Sequence, residues 1–238
     1  MKTSLTLAET LITIAIIGIV ISMTLPAVIL NYQKKTTLVK LKKAYTILQQ
    51  VLERSSYEYG GNMSSFVTTG NKVTQETTKA FINTFWLPYF DSPYVSPEGR
   101  FPYGKSVPYL GFNNTVYNTS VTTSYKDGRF FFTTKDGLSY YIFTLIWVHE
   151  KDEQGNIINS TMTYASNMQI FVDINGVKGE NKLGKDVFIF ILDTTKNKIY
   201  PYGYNNNTAT ITRNCSTAGN GTHCSAKIIN DGWEINYY

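Results

Sequence analysis

Apolar residues gather first into one long run and then into a helical stripe. From Leu11 to Leu25 every position is apolar, glycine or a small hydroxyl. The wider span from Leu5 to Leu30 is longer than the ~20 residues a bilayer requires. It contains one acid, Glu9, and one proline, Pro26. A carboxylate inside such a helix costs about 2.5–3.5 kcal/mol on insertion scales, so Glu9 needs a reason. Past Pro26, Leu38, Leu41, Tyr45, Leu48 and Leu52 recur at spacings of three and four, with Ala44 and Val51 beside them. Lys34, Lys35, Lys40, Lys42 and Lys43 occupy the other faces, as a solvated surface or one facing anionic lipid heads. The pattern predicts one helix from Leu5 to about Arg54, roughly 75 Å long and bent at Pro26. Its first half is apolar all round. Its second half carries a stripe that needs a sheet to cover it.

The next stretch, 62–128, has no clean period. A short amphipathic helix is expected from Thr74 to Leu87, with Ala80, Phe81, Phe85 and Trp86 on its apolar side. Five of the seven prolines (Pro88, Pro93, Pro97, Pro102, Pro108) then fall among tyrosines and phenylalanines. That composition excludes a long helix or a central strand and predicts a loop held by aromatic packing. From residue 129 the signal is β. Arg129 to Lys135 and Leu138 to Val148 predict a hairpin around a two-residue Asp136-Gly137 turn. Met168 to Ile174, Asp186 to Asp193 and Lys198 to Tyr204 predict further strands, and Trp233 to Tyr237 a short terminal one. One long helix followed by an antiparallel sheet of four to six strands is an α+β arrangement.

Composition narrows the chemistry. Aromatics make up 14% of the chain and include 18 tyrosines, which excludes a disordered protein. The net charge of +5 invites a nucleic-acid partner until it is located. Lys2, the five lysines above and Arg54, against Glu9 and Glu53, hold all of it, and residues 55–238 are balanced. A neutral body argues against general nucleic-acid binding. The two Cys and two His form no zinc site unless all four converge. Cys215 and Cys224 read as a disulfide closing a short loop in an oxidising compartment, or else as two unrelated buried thiols. No nucleophile motif, phosphate loop or paired histidine ligands appear, so no catalytic site and no enzyme are expected.

One loop has oxygen donors in an orderly spacing. Asp173, Asn175, Glu180, Asn181 and Asp186, separated by glycines, would suit a hard cation such as calcium. The plain alternative is a glycine-rich strand connection, and Lys178, Lys182 and Lys185 oppose a cation.

The start of the chain carries a resemblance. Ser4-Leu5-Thr6-Leu7-Ala8-Glu9, followed by the apolar run with Gly18 and Pro26, resembles the prepilin class. That class includes type IV pilins and the pseudopilins of type II secretion and DNA-uptake machines. Its usual signature is Gly-Phe-Thr-Leu-x-Glu; here Ser4 replaces Gly, Leu5 replaces Phe, and Ala8 and Thr10 replace larger aliphatics. The resemblance covers about thirty residues and implies cleavage between Ser4 and Leu5 by a prepilin peptidase, with N-methylation of Leu5. Glu9 and Pro26 then fall where the class has its acid and its proline. Glu9 would pair with the α-amine of a neighbouring subunit and fix register between helices.

The resemblance also implies an organisation: a leader at 1–4, a helix at 5–54 that is transmembrane over about 5–30, a variable connection at 55–128, and a sheet with a disulfide-bounded C-terminal region at 129–238. The fold implied is pilin-like, and the partners are other pilin or pseudopilin subunits and an inner-membrane assembly platform. The location implied is the inner membrane, with the C-terminal domain outside the cytoplasm, then a filament. The size suits a minor subunit. The lysines after the span oppose this topology by the positive-inside rule, whereas the cysteines favour it. The competing readings are a signal-anchored extracytoplasmic binding module that never polymerises, and a competence pilin contacting DNA.

Overall fold

A computed structural model describes residues 6–60, 73–95, 109–118, 128–176 and 181–238. Helix α1 runs unbroken over Leu7–Glu58, with Pro26 inside it. It extends four residues beyond the expected end, because the helix continues until Gly60 takes a left-handed φ of 78°. Helix α2 spans Gln75–Phe85, with Thr74 rather than a helical residue at its start: the Thr74 hydroxyl accepts the Thr77 N–H as N-cap. A 3-10 turn at Leu87–Tyr89 follows, with Pro88 in its first turn, where no N–H is required.

Six strands form one antiparallel sheet in the order β1 (Tyr94–Val95), β4 (Arg129–Thr133), β5 (Ser139–Lys151), β6 (Ile157–Asp173), β7 (Val187–Asp193), β8 (Lys198–Pro201). A separate ribbon pairs β2 (Tyr109–Leu110) with β3 (Val116–Asn118). Helices α3 (Thr208–Asn214) and α4 (Cys224–Asn230) complete the fold. The molecule is thus α+β, a long N-terminal helix packed against an antiparallel sheet, in keeping with a pilin-like layout.

Register explains why the central strands are apolar at almost every position. Phe130, Ile142, Ile170 and Phe190 stand in one row across the sheet, and Phe132, Tyr140, Val172 and Phe188 in another. Both rows join the core under α1 with Leu41, Ala44, Leu48, Val51 and Leu52, the stripe expected from the sequence. The row between them, Phe131, Tyr141, Phe171 and Ile189, points to the opposite face. There it meets Tyr109, Leu183 and Val187 in a second core. Both faces are covered, so alternation with polar residues is lost.

Four details differ from expectation. The hairpin after β4 has a three-residue loop, not a two-residue one. A type I′ turn needs positive φ at both centres, and only Gly137 has it (φ 83°). Asp136 instead accepts from the Thr134 hydroxyl (2.5 Å) and the Leu138 N–H (3.4 Å). Strand β6 begins eleven residues before Met168, because pairing with β5 organises a polar segment that shows no period of its own. Trp233 to Tyr237 is not a strand. Gly232 and Trp233 both take left-handed φ values (75° and 69°), and the Trp233 N–H bonds Ile228 C=O at 2.7 Å, which caps α4. Of the proline-rich stretch, 96–108 lies outside the described residues, and its flanks form β1 and β2 rather than loop alone.

Candidate functional site

Among the described residues, none of α1 from Leu7 to Leu30 belongs to either core. Leu7, Leu11, Ile12, Ile16, Val20 and Leu25 are all exposed, and this is the one helix among the described residues long and apolar enough to cross a membrane. Its hydroxyls do not spoil that surface. Thr10 donates to Leu7 C=O (2.8 Å), Thr13 to Thr10 C=O (2.8 Å), Ser22 to Ile19 C=O (2.7 Å) and Thr24 to Val20 C=O (3.0 Å). Each is satisfied inside its own helix, as an apolar solvent demands.

Glu9 has a partner within the chain. The Thr6 N–H and hydroxyl donate to its carboxylate at 2.8 and 2.9 Å, and the Glu9 N–H donates back to the Thr6 hydroxyl at 3.3 Å. This reciprocal capping box also sets a negative charge at the positive end of the helix. The sequence reading missed Thr6, although Thr-x-x-Glu before an apolar run is the signal of such a box. Ser4 and Leu5, the expected cleavage pair, lie outside the described residues. Pro26 leaves the carbonyl four residues earlier without its helical donor while the helix continues.

The lysines after the span are not simply a solvated or lipid-facing surface. Lys34 donates to Tyr238 C=O and lies 4.8 Å over that ring, Lys40 donates to Ile174 C=O at 3.1 Å, and Lys42 lies 5.4 Å from the Trp233 ring. Lys43 pairs with Asp136 at 2.8 Å. Their long stems reach around the helix to tie it to the C-terminal segment, the residue after β6 and the turn between β4 and β5. The Lys43–Asp136 pair is open to water, so Lys43→Ala is expected to cost no more than about 1 kcal/mol in thermal unfolding. Asp136→Ala, which also strips the turn of its acceptor, is expected to cost more.

The oxygen-rich loop closes into a buried polar cluster. Asp173 ends β6 and accepts the Asn175 N–H at 3.0 Å; Asn175 donates its side-chain amide to Asp186 at 3.2 Å; the Lys182 N–H reaches Asp186 at 2.5 Å. Asn181 C=O accepts from Leu110 N–H at 2.8 Å, which brings the start of the β2–β3 ribbon onto the loop. Glu180, the remaining expected donor, lies outside the described residues. Tyr109 joins the cluster and was missed, since a tyrosine ending an aromatic-proline stretch gives no sign of which loop it meets. Of the opposing lysines, Lys182 turns its ammonium to Asn114 Oδ1 (2.5 Å), and Lys178 is outside the described residues.

Burial sets the electrostatics here. It drives Asp173 well above the ordinary carboxylate range, with the neighbouring Asp186 charge adding to it and Lys40 opposing. Burial likewise raises Asp186 to about 6, against the backbone N–H of Lys182 and the Asn175 amide. A raised carboxyl favours the folded state while protonated. Its contribution is therefore present in acid and lost as pH rises through about 6.

Cys215 and Cys224 form the disulfide, with a Cα–Cα distance of 4.8 Å and both residues fully buried. The alternative of two separate thiols is closed, and with it zinc binding by these cysteines. No group of three or more His, Cys, Asp or Glu side chains able to hold a metal occurs among the described residues. Searches of family models, curated proteins and solved structures find no match to the chain.

Proposed function

We propose that this chain is a structural subunit, a pilin or pseudopilin, of a type IV pilus or type II secretion filament. The observation that carries the reading is the division of α1. Its outer half is held by a sheet, and its inner half is a bare apolar rod that begins with a capped acid. Such a rod has two uses: storage across a bilayer, and packing against identical rods when the membrane is left behind. The resemblance of residues 4–9 and Pro26 to prepilins supports the same conclusion. On this reading the peptidase cuts between Ser4 and Leu5 and methylates Leu5. The stored subunit spans the inner membrane once with its sheet domain outside the cytoplasm, and the assembly platform adds it to other subunits. The role is assembly, not catalysis.

N-terminal mass spectrometry of the protein from its native membrane tests this. The expected species begins at N-methylated Leu5. An intact Met1, or a cut near Ala27, would replace the proposal with a signal-anchored module that does not polymerise.

A further inference from the structure

We infer that a cavity at the membrane-proximal foot of the domain binds the headgroup of a phospholipid that carries a primary amine, of the phosphoethanolamine class. The cavity measures about 230 Å³ and is lined by Tyr32, Thr36, Thr37 and Lys40 of α1 and, from the domain, by Lys185, Asp186 and Tyr238. Its depth is set by the helix. Leu7 to Leu30 cover roughly 36 Å at about 1.5 Å per residue, against a hydrocarbon core of about 30 Å. Tyr32, which is 70% exposed, therefore stands where acyl chains give way to headgroups, the level at which tyrosines collect. The cavity is smaller than the roughly 300–1,000 Å³ that drug-sized ligands fill. It suits a headgroup whose acyl chains stay in the bilayer beside α1.

Free donors decide the chemistry. Within the span, Thr10, Thr13, Ser22 and Thr24 each donate to a carbonyl of their own helix. Thr36 and Thr37 lie on the same helix and are half-buried, yet their hydroxyls have no partner among the described residues. The exposed Lys185 ammonium has none there either. Lys40 uses one of its three N–H groups on Ile174 C=O and keeps two. Two ammonium groups and two hydroxyls around one cavity suit the acceptor oxygens of a phosphodiester. Asp186 adds the opposite charge. One of its oxygens accepts the Lys182 N–H and the other the Asn175 amide, so each retains acceptor capacity. A phosphate joined by two carbons to an ammonium matches this division: phosphate against the lysines and threonines, ammonium against Asp186. A glycerol headgroup brings no cation to Asp186, and a quaternary ammonium has no N–H to donate. Inorganic phosphate would meet the same lysines but leave Asp186 facing an anion.

The site rests on α1 as a membrane anchor, which the filament reading shares, and not on polymerisation. To test it, the full chain is purified in detergent and mixed with equal amounts of phosphatidylethanolamine, phosphatidylglycerol and phosphatidylcholine of identical acyl chains. Native mass spectrometry then reads the lipid retained. One phosphatidylethanolamine per chain is expected, favoured about tenfold over either competitor, the effect of one charge-assisted hydrogen bond. Soluble glycerophosphoethanolamine should displace it, and inorganic phosphate at the same concentration should not. Thr36→Val with Thr37→Val, and separately Lys185→Ala, remove groups without partners among the described residues. Both variants should melt like wild type and lose most of the preference. Asp186→Asn should retain phosphatidylethanolamine and phosphatidylcholine alike. Equal retention of the three lipids by wild type, a preference for phosphatidylglycerol, or displacement by inorganic phosphate would overturn the assignment. Flotation with vesicles reads the anchor separately. A chain that floats but shows no lipid preference keeps its anchor and loses this site, whereas one that does not float overturns both.

Discussion

Glu9→Gln and Glu9→Ala are both expected to abolish incorporation into filaments while leaving the protein folded and in the membrane. The pair of substitutions separates two roles that the structure puts on one side chain. The carboxylate closes a capping box with Thr6. Glutamine also serves at that position, so Glu9→Gln keeps the cap and removes only the charge. Alanine removes both. Loss of the cap alone would weaken helix α1 by about 1 kcal/mol, a small part of a 52-residue helix that is also held by the sheet. If capping were the whole purpose, glutamine would assemble and alanine would be mildly impaired. If the charge pairs with an amine on the next subunit, both fail alike, since an amide offers an amine no ionic partner. The readout is the fraction of subunits in sheared filaments against the fraction retained in membranes. Normal assembly of the glutamine variant would sink the pairing role.

The intrachain bonds of Glu9 clarify how the acid is tolerated before assembly. An uncompensated carboxylate in an apolar run is costly, but two donors from Thr6 offset part of that cost. On the filament reading, assembly exchanges these weak local bonds for an ionic one, or adds the ionic one to them. The hydroxyls along the span follow the same rule, each bonded to its own helix.

The apolar run, the stripe from Leu38 to Leu52 and the β character after residue 129 were legible because each follows a local period that burial enforces. What sequence missed depended on pairing or on distant partners. Strand β6 carries Asn159, Ser160, Thr161, Thr163, Ser166 and Asn167, and nothing local marks that run as a strand; β5 supplies its order. Helices α3 and α4 are only seven residues each and depend on the disulfide loop between them. The donors at 173, 175, 181 and 186 were visible as a spacing. Tyr109 was not, because only the long-range bonds between Leu110 and residues 181–183 bring it there.

Removing the disulfide with Cys215→Ser and Cys224→Ser together is expected to lower stability by about 2–3 kcal/mol. The chain-entropy account gives that size for a short closed loop, here nine residues in sequence separation. The effect should not stop at the loop. Residues 216–223 are a docking platform: Asn220 C=O accepts from Phe112 N–H (3.2 Å) and Gly219 C=O from Asn113 N–H (3.0 Å), which anchors the β2–β3 ribbon. Gly184, in the oxygen-rich loop, lies so close that a Cβ there would come within 2.5 Å of Cys224 Sγ. The platform therefore presses on both segments that deliver Tyr109, Asn181 and Asp186. Two readouts follow. Thermal unfolding of the double serine variant should shift downward relative to wild type, and reductant should move only wild type toward the variant. Hydrogen exchange should rise first at the amides of Leu110, Phe112, Asn113 and Leu183, ahead of the central strands β5 to β7, because these bonds lean on the loop while the strands are held by two cores. Uniform exchange across the sheet in the variant would mean that the disulfide stabilises the domain as a whole and that the ribbon does not depend on it.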